Sequence, residues 1–487
     1  MDPATEPLPP TPPSSPLPAA PPPTRPAAGR PSARSALCQG LRALLVPPAP
    51  APKLTDPLQI KQVYRNNRVR VLLALFIGYA SYYFTRKNLP GAIAALASDL
   101  HYSNTQLGLL GTLLYVTYGV GKFVNGVLGD HANSRTFLVG GLLLSAVCNL
   151  AFGASSSLLA LGLFWALNGW FQSMGFPPCA RLLASWYSSS ERGAVWGVWN
   201  ISHQIGGMAI ALATGTLVAQ LGWRACFWLP ALVCVGIALA LWPQLPDTPA
   251  ALGLPSIGVY RDDAWREADG SPLSDEPESM RHILLHRVLK NRGVWLVSIM
   301  NLFVYLVRSG AFDWAPKYLI EVKHTPAALA GVITSSFELL GIPGSLLAGV
   351  LSDRVFGGRR APVCALFMLV TAAGLLLFYL VPPGHPLLDA MTLSLVGFAV
   401  YGPQFLVGVL VVDLASPKAA ATAIGLTGVF GYAGSALSGI GIGYLVDRTG
   451  WRGGFVCFIA AALLGGLLAL PLWHAGLRYG RKSRKPR

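Results

Sequence analysis

The sequence predicts an all-α membrane protein whose twelve transmembrane helices form two pseudo-symmetric halves of six. Three observations carry that expectation. Apolar runs recur from residue 71 to residue 474, each near the roughly 20 residues a helix needs to cross a bilayer. The 487 residues are 53% hydrophobic and 12% charged, with mean hydropathy +0.50, whereas a soluble domain carries about 25% charged residues. Landmarks of the first half also return in the second: GVLGDHANSR (126–135) as GVLSDRVFGGRR (349–360), and LGWRACF (221–227) as TGWRGGF (449–455). The offsets nearly agree, at 223 residues from Asp130 to Asp353, 222 from Arg86 to Arg308 and 228 from Trp223 to Trp451.

Residues 1–52 are rich in Pro and Ala and nearly free of acid, a composition that predicts a disordered cytoplasmic tail. The segment lacks the basic-then-apolar build of a secretory signal. SALCQGLRALLV (35–46) is too short and interrupted to span, and the Arg and Ser content leaves an organellar transit peptide as the alternative. The first half, 53–245, is expected to cross at 71–97, 104–129, 136–155, 157–185, 193–220 and 224–243. The polar stretch 246–290 reads as a cytoplasmic linker. The second half, 291–474, is expected to cross at 293–319, 326–351, 361–381, 386–412, 419–445 and 452–474, with a basic tail at 475–487. Gly and Ala are frequent in these spans, as close packing of membrane helices favours.

The first span carries Tyr79, Tyr83 and Arg86 at i, i+4 and i+7, on one helical face. The seventh carries Asn301, Tyr305 and Arg308 at the same spacing, each 222 residues from its counterpart. An arginine stays charged at any accessible pH, so at bilayer depth it needs an anionic partner. Neither has an acidic residue one turn away in sequence. A guanidinium fork matches phosphate oxygens bidentately, and two forks suit a doubly charged phosphate monoester. The alternative is two structural pins to backbone carbonyls or a distant acid.

The second span places Tyr118, Lys122 and Asn125 on one face. Lys122 is either a third cationic contact or a lysine reaching for the interface. Lys87 points about 100° from Arg86 on a continuous helix, which suggests a structural role. In the fifth span His203 shares a face with Trp199 and Asn200, in a position to line a cavity. Tyr401 in span 10 and Tyr432 in span 11 are candidate cavity donors. Glu338 in span 8 either pairs with Lys122 or Arg308 or binds a proton or sodium. The pattern Gly-x-x-x-Asp closes span 2 at Asp130 and span 8 at Asp353 with Arg354; a helix-end carboxylate of this kind latches one conformation by gripping basic loop residues.

The formal net charge is +16. Its distribution explains it by topology rather than nucleic-acid binding. Lys61, Arg65, Arg68 and Arg70 precede the first span, Arg354, Arg359 and Arg360 separate spans 8 and 9, and RYGRKSRKPR ends the chain. The positive-inside rule puts these in the cytoplasm, with both termini. Arg224, Lys317, Lys323, Arg448 and Arg452 weaken the bias without reversing it. The seven cysteines form no CxxC or Cys/His cluster, so no disulfide framework, metal site or cofactor is implied. YGVGKF (118–123) lacks the spacing and the Ser/Thr of a phosphate loop, and the sequon Asn200-Ile201-Ser202 falls within a span, so no enzyme signature survives.

Two six-helix repeats around a cytoplasmic loop resemble the major facilitator transporters, whose site lies at the midplane between the halves. More specifically, YYFTRKN (82–88), YGVGKFVNGVLGD (118–130), PPCARLLASWYSSSERG (177–193), VWNISHQIGG (198–207), VRSGAFDWAPKYL (307–319) and FELLGIPG (337–344) resemble the organophosphate:phosphate antiporter family over about 55–475. ALGLPSIGVYRDDAW (251–265) and LTDPLQIKQVYR (54–65) are most similar to its bacterial hexose-phosphate sensor branch. The resemblance implies phosphate binding at Arg86 and Arg308, with Lys122 and His203 as the family's cavity lysine and histidine. It implies an aromatic lining at Tyr79, Tyr83, Tyr118, Trp199, Tyr305, Tyr401 and Tyr432. The function it implies is exchange of a sugar phosphate, glucose 6-phosphate or another hexose 6-phosphate, for inorganic phosphate in a bacterial inner membrane, by a monomer. The alternative is a transporter-like receptor that senses external hexose phosphate and signals to a membrane histidine kinase. A cation-coupled sugar or drug transporter using Glu338 leaves both arginines unexplained.

Overall fold

The computed structural model describes residues 46–261, 283–415 and 419–474, apart from a few side chains that include Asp130. Among these residues the chain is helical, with no strand. Eight helices are long and apolar enough to cross a bilayer unaided. The last of them, Thr422–Leu472, makes two crossings because Gly450 leaves the helical conformation at φ 69°, a left-handed backbone that glycine adopts without a Cβ penalty. Three further crossings come from Ala225–Leu241 and from two broken helices, Pro57–Phe84 with Asn88–Leu100 and Leu158–Gln172 with Phe176–Trp186. In order, span 1 is the first broken helix, span 2 Asn104–His131, span 3 Ser134–Gly153, span 4 the second broken helix, span 5 Ser189–Leu221 and span 6 Ala225–Leu241. Spans 7 to 10 are Arg292–Glu321, Ala327–Val350, Arg360–Leu380 and Pro386–Leu414, and Ala420–Ala469 holds spans 11 and 12.

The caps lie where the sequence puts Ser and Asn. Ser103 and Gln106 form a capping box at span 2, Ser188 and Glu191 another at span 5, and Asn133 and Asn291 cap spans 3 and 7. Each satisfies helix-terminal N–H groups that otherwise lack partners. The outer surface presents Val120, Phe123, Leu159, Leu232, Leu380 and Leu387, side chains that suit lipid rather than water. Residues 51 to 54 pair with the segment after span 6: Ala51 N–H donates to Ala250 O and Leu54 N–H to Gly253 O. The helix Ile257–Arg261 follows, and the remainder of the predicted linker to residue 282 lies outside the described residues.

The two halves meet tightly on the face opposite this linker. A Cβ on Gly108 of span 2 would sit 2.3 Å from Gly439 O of span 11, and one on Gly215 of span 5 would sit 2.6 Å from Ala327 O of span 8. Close approach of this kind requires glycine. The Asp447 carboxylate, from the second half, also caps the start of span 2 in the first. It accepts from Asn104 N (3.0 Å) and Nδ2 (2.8 Å), and from Thr105 N (2.7 Å) and Oγ1 (2.6 Å). A carboxylate on free helix-start N–H groups is a favourable charge-assisted contact. At the linker face, by contrast, a Cβ added to Gly193, Gly197 or Gly408 would meet nothing within 4 Å, and a cavity of about 1000 Å³ opens there between spans 5 and 10.

The far face is therefore closed and the linker face open. Asp447→Ala removes one closure contact of about 1–2 kcal/mol. Cysteine-labelling from the far face, at positions lining the closed seam, is expected to rise roughly 5- to 30-fold in this variant. Labelling at the wild-type rate would show that Asp447 does not hold the seam.

Candidate functional site

Arg86 sits in a break in span 1. The chain leaves the helix at residues 85 to 87 and restarts at Asn88. Pro90 gives the local reason, since its ring conflicts with the carbonyl four residues back. Interrupted helices expose backbone groups that lipid cannot satisfy. Here the Thr85 carbonyl accepts from Asn149 Nδ2 (3.0 Å) and Asn168 Nδ2 (2.8 Å). Gln172 Nε2 donates to Thr85 Oγ1 (2.9 Å) and Ser145 Oγ (2.7 Å), and Asn88 Nδ2 donates to Asn149 Oδ1 (2.8 Å). This knot of buried polar side chains from spans 1, 3 and 4 fixes the backbone that presents Arg86. Arg308 rides instead on span 7, which is helical straight through it.

Arg86 and Arg308 are each 8% exposed, and both reach one cavity of about 650 Å³ at mid-depth. Arg86 lies 4.0 Å from the Tyr118 ring centroid and 5.4 Å from that of Tyr83. Arg308 lies 4.8 Å from the Tyr401 ring and donates from Nη2 to the Tyr401 hydroxyl at 2.9 Å. The aromatic faces offset part of the desolvation of the cations. Neither arginine forms a salt bridge among the described residues, and the Nε of each is buried without a partner.

The other expected residues mostly converge on the same space. Tyr79, Tyr83 and Tyr118 line it with Lys122, Trp199, Asn200 and His203 from the first half. Tyr305 and Tyr432 line it from the second, with the Tyr118 and Tyr432 ring centroids 4.8 Å apart. The Lys122 ammonium packs 4.8 Å from the Phe176 ring and 5.4 Å from that of Tyr432, with no acid beside it among the described residues. His203 bonds through Nδ1 to the Asn200 carbonyl, and its Nε2 has no partner among the described residues. Tyr401 borders the adjoining cavity that opens at the linker face.

Three expectations need correction. Asn301 does not line the cavity; its amide donates to Thr427 O at 2.9 Å. Gly431 and Gly434 let span 11 approach this turn of span 7, which turns Asn301 into a helix–helix contact. Glu338 pairs directly with neither Lys122 nor Arg308; it accepts from the Tyr401 hydroxyl, which in turn receives Arg308 Nη2. Gly207 of span 5 makes room, since a Cβ there would come within 3.1 Å of the Glu338 carboxyl. Asp353 is paired with Arg360, not Arg354, and Arg360 Nε is also 3.6 Å from Asp413 Oδ2. This latch lies within the second half, and the Asp130 side chain of its counterpart lies outside the described residues.

Lys87 takes the structural role expected of it, but not the expected direction. Because the helix is broken, Lys87 turns into the cavity wall and joins the halves: Nζ is 2.8 Å from Asp313 Oδ1 of span 7 and 3.0 Å from the Tyr115 hydroxyl, which donates to Asp313 Oδ2 at 2.6 Å. Gln204 and Gln404 also stand on the cavity walls, with neither charge nor motif to mark them in the sequence. Among the described residues no three His, Cys, Asp or Glu side chains gather as a metal-ion set. What the site offers chemically is two buried cations, Arg86 and Arg308, and a partly exposed third, Lys122, facing one space between the halves.

The Major Facilitator Superfamily profile matches residues 75–439. The chain is 40% identical over 437 residues to the probable hexose phosphate transport protein of Chlamydia pneumoniae, covering 88% of this chain and 96% of that one. It is 40% identical to the glycerol-3-phosphate transporter of Bacillus subtilis (88% and 98% covered) and 38% identical to the membrane sensor protein UhpC of Salmonella typhimurium (89% and 98%). A solved bacterial homologue of the human lysosomal transporter Spinster shares the fold at TM-score 0.69 and 15% identity, over 84% of this chain and 97% of that one.

Proposed function

The chain belongs to the major facilitator superfamily and, within it, to the organophosphate:phosphate antiporters, and on that premise we propose that it exchanges a hexose phosphate for inorganic phosphate by alternating access. The observation that carries this reading is the arginine pair: one buried guanidinium from each half, facing one cavity, without an acidic partner of its own among the described residues. Phosphate is the dianion that two such forks fit. Lys122 adds a third cationic contact, and the Nε2 of His203 faces the same space. The halves 53–245 and 291–474 rock about this site, joined by the linker 246–290. The tails 1–52 and 475–487 and the linker lie in the cytoplasm of a bacterial inner-membrane protein, so the open linker face is the inward one.

Exchange follows from electrostatics. Phosphate bridging Arg86 and Arg308 draws the halves together and neutralises both cations. An empty site would occlude unpaired charges in a low dielectric, at a cost of several kcal/mol per ion. Return therefore requires another anion, and no proton or sodium site is needed. Glu338 is held in the Tyr401–Arg308 relay, where it positions Arg308 rather than carrying a coupling ion. Proteoliposomes loaded with phosphate should accumulate labelled glucose 6-phosphate, while liposomes loaded with chloride should not. Equal uptake into both would contradict exchange.

A second reading is favoured by the 38% identity to a protein named as a membrane sensor. In it the same site binds external hexose phosphate and the rearrangement signals to a membrane histidine kinase. Ligand binding with no uptake into phosphate-loaded vesicles would support this receptor reading against transport.

A further inference from the structure

Two glutamines on the cavity wall carry buried amide atoms that have no partner among the described residues. Gln204, beside His203 on span 5, is 1% exposed, and its Nε2 is buried without a partner. Gln404, one turn from Tyr401 on span 10, has a buried Oε1 that is equally unpartnered. Both line the cavity that opens at the linker face, and Gln404 also borders the space shared by Arg86 and Arg308. A buried amide left unsatisfied is destabilising, and in a site it marks where a ligand's polar groups belong.

Symmetry sharpens the assignment. Arg86 and Arg308 are mates at the 222-residue offset. In spans 4, 5, 10 and 11 the offset is 228, since a Cβ on Gly206 would meet Ala80 O as one on Gly434 would meet Leu302 O, and Gly169 meets Leu114 O as Gly397 meets Phe337 O. The mates are therefore Tyr432 for Gln204 and Phe176 for Gln404, and neither glutamine faces a symmetry-related amide. A phosphate group suits a pair of symmetry-related cations. The organic remainder of an ester has no such symmetry and must be read by groups that break it. A primary amide supplies both a donor and an acceptor for hydroxyl groups.

We propose that Gln204 and Gln404 form a hydroxyl-reading subsite for the sugar portion of the cargo, on the linker side of the arginine pair. The proposal rests on the phosphate reading above and adds which residues choose among esters. Phosphate is anchored at the arginines, and the sugar extends into the cavity beside Tyr401, where its hydroxyls complete the two amides. A site built to hydrogen-bond a hydroxyl discriminates against ligands that lack it far better than an apolar wall does.

The test is equilibrium displacement of labelled inorganic phosphate from the full-length protein in nanodiscs. The displacing ligands are unlabelled phosphate and glucose 6-phosphate, and the proteins are wild type, Gln204→Met and Gln404→Met. Methionine keeps the length of the side chain and removes the amide. In each variant the ratio of glucose 6-phosphate affinity to phosphate affinity is expected to fall about tenfold. Phosphate is the reference within each variant, so general damage to the fold cancels from the ratio. A ratio within about twofold of wild type, whether both affinities fall together or neither does, removes that glutamine from the subsite. If wild type binds phosphate and both ratios hold, only the subsite is overturned. If wild type binds neither ligand, the phosphate reading falls and the subsite with it.

Discussion

Arg86→Lys and Arg308→Lys are each expected to lower the rate of phosphate exchange at limiting phosphate by roughly 50- to 150-fold. Lysine keeps the charge but not the planar fork, so one of two parallel charge-assisted hydrogen bonds is lost and the other is not held in plane. A hydrogen bond to a charged group contributes about 1.5–3 kcal/mol, and the upper half of that range corresponds to the stated loss. The two variants should be similarly impaired, because the arginines are symmetry mates and each is 8% exposed in the same cavity. Exchange of labelled phosphate in proteoliposomes measures both, and wild-type rates in either variant would remove that arginine from the phosphate site.

Asp313→Asn is expected to have the second largest effect, on stability as well as on transport. The Lys87 ammonium is buried, with Asp313 Oδ1 at 2.8 Å and the Tyr115 hydroxyl at 3.0 Å. Removing one partner of a buried pair leaves an uncompensated charge, at about 3–5 kcal/mol. It also frees a cation beside Arg86, which weakens the cross-half contact between spans 1 and 7. Replacing both partners with apolar groups is often close to neutral, so Lys87→Met with Asp313→Leu should melt nearer to wild type than Asp313→Asn does. Thermal unfolding in one detergent compares them. A single variant that melts with wild type, or a double variant no better than the single, would show that the pair does not hold the halves.

Much of the architecture is legible in the sequence because hydropathy and repetition are long-range signals. Arg86 and Arg308 could be matched by their offset, and Tyr83 and Tyr305 placed by helical spacing, with no coordinates. What the sequence does not display is where a helix stops being one. The 100° argument misplaced Lys87 because the chain leaves the helix at residues 85 to 87. Pro90 signalled the break, but the side chains that stabilise it, Asn149, Asn168 and Gln172, come from two other spans. Asn301 kept the right spacing and still turned away, because glycines in span 11 bring that helix against it. Asp353 and Arg354 are neighbours in sequence yet about 100° apart on a helix, so the carboxylate finds Arg360 across the loop. Gln204 and Gln404 drew no notice because uncharged amides stand out only once their burial and missing partners are known.

The central claim is that the empty site does not return across the membrane while its cations lack an anion. Proteoliposomes filled with labelled phosphate test it most directly, by efflux into buffer with and without external glucose 6-phosphate. The account predicts rapid release when the external ester is present and negligible release when no exchangeable anion is. Equal efflux in both buffers would contradict it, since the unneutralised arginines would then be free to reorient alone.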